Sequence, residues 1–299
     1  MSATKWLNCR LRDLQRQLAA AGHPASLMVI RRLLRQHDYR LRANRKQVAD
    51  AAHPQRDTQF QHIQAQRAAH AAAGQPVISV DSKKKELIGN FRNAGQTWGQ
   101  APELVNVHDF ETEALGRAVP YGIYDLARNV GRVYVGQSAD TPSFAVDNIA
   151  RWCAQELPAY PQASAVLILA DGGGSNSARS RVWKAALQDQ VADRFGVTVT
   201  VCHYPPGTSK WNPIEHRLFS EISKTWAGCP LRSREVVLEY LRGTKTDTGL
   251  RVAAELIPTI YPTGVKVSDE RMADLNVEWH AICPAWNYTI RPRVLALAA

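Results

Sequence analysis

The sequence has no pattern of cysteine pairing. Its five cysteines, Cys9, Cys153, Cys202, Cys229 and Cys283, form no C-x-x-C and no zinc-finger spacing. A disulfide framework and a structural zinc site are therefore not what organises the chain, and the thiols suit a reducing compartment. No apolar run approaches the length of a membrane span, and residues 1–5 begin no signal peptide, so a soluble intracellular protein is expected. Neither G-x-x-x-x-G-K-S/T nor G-x-G-x-x-G occurs, which argues against a nucleotide cofactor. Acidic residues are scarce at the start: residues 1–75 hold 13 Lys/Arg against 4 Asp/Glu, whereas the remainder is almost balanced at 24 against 23. Nearly all of the net charge of +10 thus lies on the first quarter, as expected of a segment that meets a polyanion, above all nucleic acid. A merely solvated basic face is the alternative.

What is present begins with helices. Leu7, Leu11, Leu14 and Leu18 recur at helical spacing, and Gly22 ends that helix. Ser26 then caps a second helix over 27–36, in which Leu27, Val29, Ile30, Leu33 and Leu34 face inward and Arg31, Arg32 and Arg35 face outward. Helix, short turn and basic helix is the helix-turn-helix plan. The basic stretch 39–46, with Arg42, Arg45 and Lys46, could track phosphates. These elements define an expected DNA-binding segment, 1–52. Residues 53–75 suggest a solvated linker helix, and His53, His62 and His70 lack the spacing of metal ligands.

From Val77 the pattern changes to strands, predicted over 77–80, 104–107, 119–126 and 131–137, the last two joined by a hairpin at 127–130. Thr141 and Pro142 start a helix that runs to about Leu157. A strand at 166–170, a helix at 178–195, a strand at 197–202 and a helix after Pro213 follow. Three consecutive strands of this run, a helix, then strand, helix, strand and helix is the ribonuclease H-like order, so an α/β fold is expected: a mixed sheet flanked by helices over 76–230, with an appended C-terminal region at 231–299.

Three acids stand out within this pattern. Asp81 follows the apolar run 77–80, Asp171 follows 166–170, and Glu215 lies on the first turn of the helix after a prolyl loop. Carboxylates at neighbouring strand ends, joined by a third from a helix, are suitable hard ligands for two divalent ions in phosphodiester chemistry. Each acid also has a plainer role. Asp81 can pair with Lys83, Lys84 or Lys85, Asp171 can serve the glycine turn 172–174, and Glu215 can close a capping box with Asn212 and Pro213. Lys210 is a candidate phosphate contact, Trp211 a stacking surface and His203 a proton-transfer or DNA contact, while Lys83 and Lys84 are further candidates for phosphate. Ser175 and Ser177 have no base or oxyanion partner in sequence, which argues against a hydrolase triad.

The motifs VISVDSKKKE (77–86), LADGGGSN (169–176) and HYPPGTSKWNPIEH (203–216) resemble the catalytic core of ISAzo-type insertion-sequence transposases. The likeness continues through 116–137, 246–250 and 284–290. It implies a ribonuclease H-like domain related to retroviral integrases and mariner-type transposases, which cuts transposon ends and joins them to target DNA with Mg²⁺ or Mn²⁺, two ions, in the bacterial cytosol. It also implies a homo-oligomer on double-stranded DNA. Asp81, Asp171 and Glu215 then match the first, second and third acids, with 43 residues between the last two. The family is expected to carry a longer N-terminal DNA-binding region, so this chain would begin partway through it. A nuclease or integrase with the same triad, and a truncated DNA-binding copy that occupies or represses ends, are the rival functions.

Overall fold

The structure, a computed structural model, describes residues 9–40 and 53–293. The chain divides into two compact units, Met1–Ala49 and Asp50–Ala299. In the first, α1 (Leu11–Ala20) and α2 (Leu27–Gln36) are joined by a turn in which Gly22 takes φ +84°. Ser26 caps α2 by accepting from the Val29 N–H. Ile30 is buried, but Leu33, expected inward, is 43% exposed.

The second unit is one mixed sheet of β1 (Val77–Ser82), β2 (Glu86–Ile88), β3 (Gly116–Asp125), β4 (Val130–Gly136), β5 (Ala165–Asp171), β6 (Thr198–Tyr204), β7 (Arg251–Ile257), β8 (Val277–Trp279) and β9 (Asn287–Ile290), in the order β7-β4-β3-β1-β5-β6-β9-β8, with β2 paired off this path to β3. Its centre is β1 (Val77–Ser82), antiparallel to β3 (Gly116–Asp125) and parallel to β5 (Ala165–Asp171), which is parallel in turn to β6 (Thr198–Tyr204). β4 (Val130–Gly136) lies antiparallel to β3. These five strands, with one helix between β4 and β5 and another between β5 and β6, form the expected ribonuclease H-like arrangement. Near-continuous apolar runs in β1 and β5 follow from burial on both faces, whereas β6 alternates threonine and valine over 198–201.

One face packs on α4 (Pro142–Glu156) and α5 (Arg181–Leu187), around Val80, Ile168, Ala170, Trp152 and Trp183. Thr141 caps α4 through the Phe144 N–H, with proline at the helix start, as expected. The other face carries Val77, Leu167, Leu169, Cys202 and Tyr204 beneath α3 (Arg56–Ala72), and Ala118, Tyr124, Val133 and Val135 beneath the helical stretch from Pro213 to α6 (Ser220–Thr225) and α7 (Arg234–Gly243).

Three expectations need correction. The helix at 53–75 is no solvated linker. Ile63 is 2% exposed against the sheet, and the fully buried Gln59 amide donates to the His203 carbonyl and the Asn287 side chain, both at 2.8 Å. Burying Ile63 contributes about 1.5–3 kcal/mol, so α3 belongs to the sheet unit. Nor is 231–299 an appendage. β7 (Arg251–Ile257) pairs with the free edge of β4, and β9 (Asn287–Ile290) with that of β6, followed by β8 (Val277–Trp279). An unpaired strand edge leaves rows of unsatisfied N–H and C=O groups, and the C-terminal strands cover both. α8 (Asp269–Ala273) lies between β7 and β8. Residues 104–107 form no strand, and Leu104 and Val107 stand 84% and 89% exposed.

Candidate active site

Register brings the two aspartates together. Val80 pairs with Ala170 on parallel strands, so Asp81 and Asp171 are the next residues at the carboxyl ends of β1 and β5. Neighbouring strands lie about 4.8 Å apart, and side chains at one level share a face. Val80 and Ala170 belong to the α4 side, which turns Asp81 and Asp171 to the opposite face, the one carrying Ser79 and the helix with Glu215.

That helix is seated on the sheet by two glycines. Gly122, the register partner of Asp81, lies so close beneath it that a Cβ would come within 2.5 Å of Phe219 and 2.9 Å of Ile214. At Gly131 a Cβ would meet Leu218 at 2.5 Å. The helix starts at Pro213, as the sequence predicts, but its cap comes from elsewhere in the chain. Ser79 Oγ, on β1, accepts the Ile214 N–H at 3.0 Å and donates to Asn212 Oδ1. Asn212 Nδ2 donates to the Val80 carbonyl at 3.3 Å, and both Ser79 and Asn212 are fully buried. Glu215 makes no back-bond of the kind a capping box requires among the described residues. It opens a π-type segment, Glu215–Phe219, a local irregularity frequent at functional sites. The strand that carries Asp81 therefore also fixes where the Glu215 helix begins.

Asp81 and Asp171 both feel neighbouring carboxylates. Burial pushes the Asp81 carboxyl up to about 8, Asp171 and Glu215 push in the same direction, and only the Ser82 N–H, at 2.7 Å from Oδ1, opposes them. Asp171 is likewise raised by burial and by Glu215. Among the described residues no basic side chain offsets either charge, and Asp171 Oδ1 is buried without a hydrogen-bond donor. Hard oxygen donors carrying uncompensated charge suit a divalent cation. Among the described residues no group of three acid, histidine or cysteine side chains is closed around a point that could hold an ion, so the donors fit while their final closure is not formed.

The other candidates separate. His203 is fully buried, its Nδ1 is 3.1 Å from the Asp171 main-chain oxygen, and burial pulls its pKa down to about 4. A DNA contact for His203 is thereby corrected: it is a neutral ring that anchors the strand end carrying Asp171. Lys83 is also corrected, because its ammonium is 3.3 Å from Glu86 and 4.7 Å from the Trp226 ring centroid, with the side chain only 10% exposed. Its partner is Glu86 rather than Asp81. Lys84 is exposed, as are Lys210 and Trp211, and the Trp211 ring is steadied edge-on by Phe60. Arg31, Arg32 and Arg35 are exposed on α2. Arg42, Arg45 and Lys46 lie outside the described residues.

Sequence reasoning missed Ser79 as the cap and Asp140 as a neighbour, whose carboxylate accepts from Ser82 Oγ at 2.9 Å and adds to the field on Asp81. The signal for Ser79 was available: a lone hydroxyl in the run Ile78, Ser79, Val80, two residues before Asp81 and so on its face. Asp140 had none, because its loop position gives no register.

Sheet order and three mutually repelling acids at the carboxyl edge define a ribonuclease H-like α/β protein with an acidic centre. Residues 1–292 match the family model described as the Rhodopirellula transposase DDE domain. The chain belongs to that transposase family. No curated protein matches the chain. Among solved structures it is similar to the Mos1 transposase paired-end complex with left transposon end, at 14% identity and TM-score 0.48, covering 83% of this chain and 75% of that one. It is similar also to the mariner Mos1 paired-end complex with Mg, at 13% identity and TM-score 0.48, covering 81% and 74%, and to the complex with Mn, at 15% and 0.46, covering 81% and 73%.

Proposed function

We propose that this protein is a DNA transposase that cleaves transposon ends and transfers the freed 3′-hydroxyl strand into target DNA, with Asp81, Asp171 and Glu215 as its catalytic acids. The observation that carries this reading is the uncompensated charge at the site, above all the buried, donorless Asp171 Oδ1 beside two further carboxylates. The three acids would hold Mg²⁺ or Mn²⁺, two ions. When bound, such a pair activates the attacking oxygen and offsets charge on the leaving oxygen of a phosphodiester.

The protein's own groups hold this arrangement in place. Asp81 and Asp171 present their carboxylates from strand ends that cannot slip without breaking the β1–β5 ladder. Ser79 and Asn212 tie the start of the Glu215 helix to the Asp81 strand, and His203 ties the end of the Asp171 strand to β6. Exposed Lys84 and Lys210 offer positive charge to DNA phosphates, and Trp211 offers a face for a base. The α1–α2 pair, with Arg31, Arg32 and Arg35 outward, acts as a helix-turn-helix on duplex DNA, continued by Arg42, Arg45 and Lys46.

The test is nicking and joining of a duplex that carries the element's end, with and without Mg²⁺. Wild type is expected to cut and join only with the ion. Glu215→Gln should do neither while unfolding at the same temperature. A Glu215→Gln protein as active as wild type would remove Glu215 from the site, and a wild type that binds DNA but never cuts it would favour the DNA-binding rival.

A further inference from the structure

Behind the two aspartates, on the other face of the sheet, lies a polar cluster that the proposed chemistry does not use. Side chains alternate along β1, so Ser82 turns away from Asp81 to the side of Val80 and α4. There Ser82 Oγ donates to the Asp140 carboxylate at 2.9 Å and lies 3.3 Å from Ser175 Oγ. A serine hydroxyl has one proton to give, and that of Ser82 is committed to the carboxylate. Ser175 is therefore left to donate to Ser82. The relay runs from Ser175 through Ser82 to Asp140, and it joins the turn after β5, the end of β1 and the loop before α4.

The turn needs such a tie. It begins with Gly172, Gly173 and Gly174, and at the last two a side chain would stand in open space. Glycines without neighbours leave the backbone many conformations. The chain is caught again at Ser175 and Asn176, 3% and 1% exposed. Asn176 Oδ1 accepts from Tyr121 OH at 2.9 Å, and Tyr121 is the register partner of Ser82 on β3. Two side chains thus fasten the turn to one rung of the β1–β3 ladder. The Ser82 N–H in that rung holds Asp81 Oδ1 at 2.7 Å, and Asp171 opens the turn that Ser175 closes. The cap of α4 is Thr141, which leaves the Asp140 carboxylate for Ser82.

We infer that Ser82, Ser175 and Asp140 are positioning residues: their relay holds the turn after Asp171 against the strand end of Asp81, and so keeps the two carboxylates at one spacing for divalent ions. The inference rests on the reading of those aspartates as metal ligands.

Two measurements on the full chain, both without DNA, test it. The first is amide hydrogen exchange over residues 172–177 in chelator. Ser82→Ala, Ser175→Ala and Asp140→Ala should each exchange about tenfold faster there than wild type, as the loss of one hydrogen bond allows. Asp140→Asn, whose amide oxygen still accepts from Ser82, should stay near wild type. The second is Mn²⁺ titration followed by electron paramagnetic resonance, in which the three alanine variants should bind about tenfold or more weakly, as loss of a group that orients a metal ligand does. Ser82→Ala with Ser175→Ala should lose no more than the worse single variant, because both cut the same relay. Unchanged exchange, faster exchange with unchanged Mn²⁺ affinity, or Asp140→Asn exchanging as fast as Asp140→Ala would overturn the proposal. A wild type that binds no Mn²⁺ would instead strike the metal reading of the acids, and exchange of the turn would then decide the relay alone.

Discussion

Replacing Gly122 with alanine should damage the chemistry more than the fold. Gly122 is the register partner of Asp81 and lies directly under the helix that carries Glu215. The added methyl would stand 2.5 Å from Phe219 and 2.9 Å from Ile214, about 1 Å short of carbon contact at its optimum of roughly 3.5–4.0 Å. Gly122 has ordinary negative φ, so alanine meets no backbone strain and the whole effect is steric. Over-packing of this kind costs about 1–3 kcal/mol, which a sheet unit of this size should survive folded. The clashing atoms are the ends of the buried Phe219 and Ile214 side chains, so relief comes from turning those side chains or from lifting the helix, and a lift displaces Glu215 from the two aspartates. A misplacement of about 1 Å in a catalytic group costs on the order of 100-fold in rate. The assay is single-turnover nicking of end DNA in Mg²⁺, read beside the urea unfolding midpoint of the same preparation. Gly122→Ala with nicking within a few-fold of wild type, at whatever stability, would refute the claim that the glycine seat places Glu215.

Three further outcomes follow from the same geometry. Asp81 is held above the ordinary carboxylate range, at about 8, so its folded state favours the protonated form. The stability this confers is present at acid pH and is lost as pH rises from about 4 through about 8. Thermal midpoints in chelator should fall across that window, Mg²⁺ should reverse the fall, and Asp81→Asn should flatten it; a metal-free midpoint that rises across the window would contradict the assignment. Gln59→Ala breaks the bonds from α3 to the His203 carbonyl and to Asn287, leaving buried partners unpaired, and should cost about 2–4 kcal/mol in urea titration; a loss near zero would return α3 to the status of a linker. Replacing Arg31, Arg32 and Arg35 together by alanine should lower the salt slope of duplex binding by about 3, near 0.9 per phosphate contact, and an unchanged slope would take α2 off the DNA.

The central sheet was legible in the sequence because buried parallel strands announce themselves as short apolar runs: 77–80 and 166–170 each lie within an observed strand, and 197–202 overlaps β6 from Thr198 onward. Both aspartates were found for the same reason, since a carboxylate that ends such a run stands out against it. The helix start at Pro213 was legible too, through the chemistry of Asn212 and Pro213. What caps it was not. Ser79 is 135 residues from Ile214, and no local rule links a strand hydroxyl to a distant helix start. The fate of α3 was misjudged because its many Ala and Gln residues imply solvent, whereas Gln59 and Ile63 bury one narrow stripe. The outer strands β7, β8 and β9 were missed because they are defined by the edges they cover, which local sequence does not reveal. By residue type and position His203 and Lys83 read as DNA contacts, and only tertiary packing shows the His203 ring buried and the Lys83 ammonium paired with Glu86.

Whether Asp81, Asp171 and Glu215 share divalent ions is tested directly by anomalous diffraction from crystals soaked in Mn²⁺. Manganese is expected between the Asp81 and Asp171 carboxylates, with Asp171 Oδ1 as a ligand and Glu215 turned to join them. Manganese bound elsewhere, or bound by the aspartates while Glu215 stays out of reach, would contradict it.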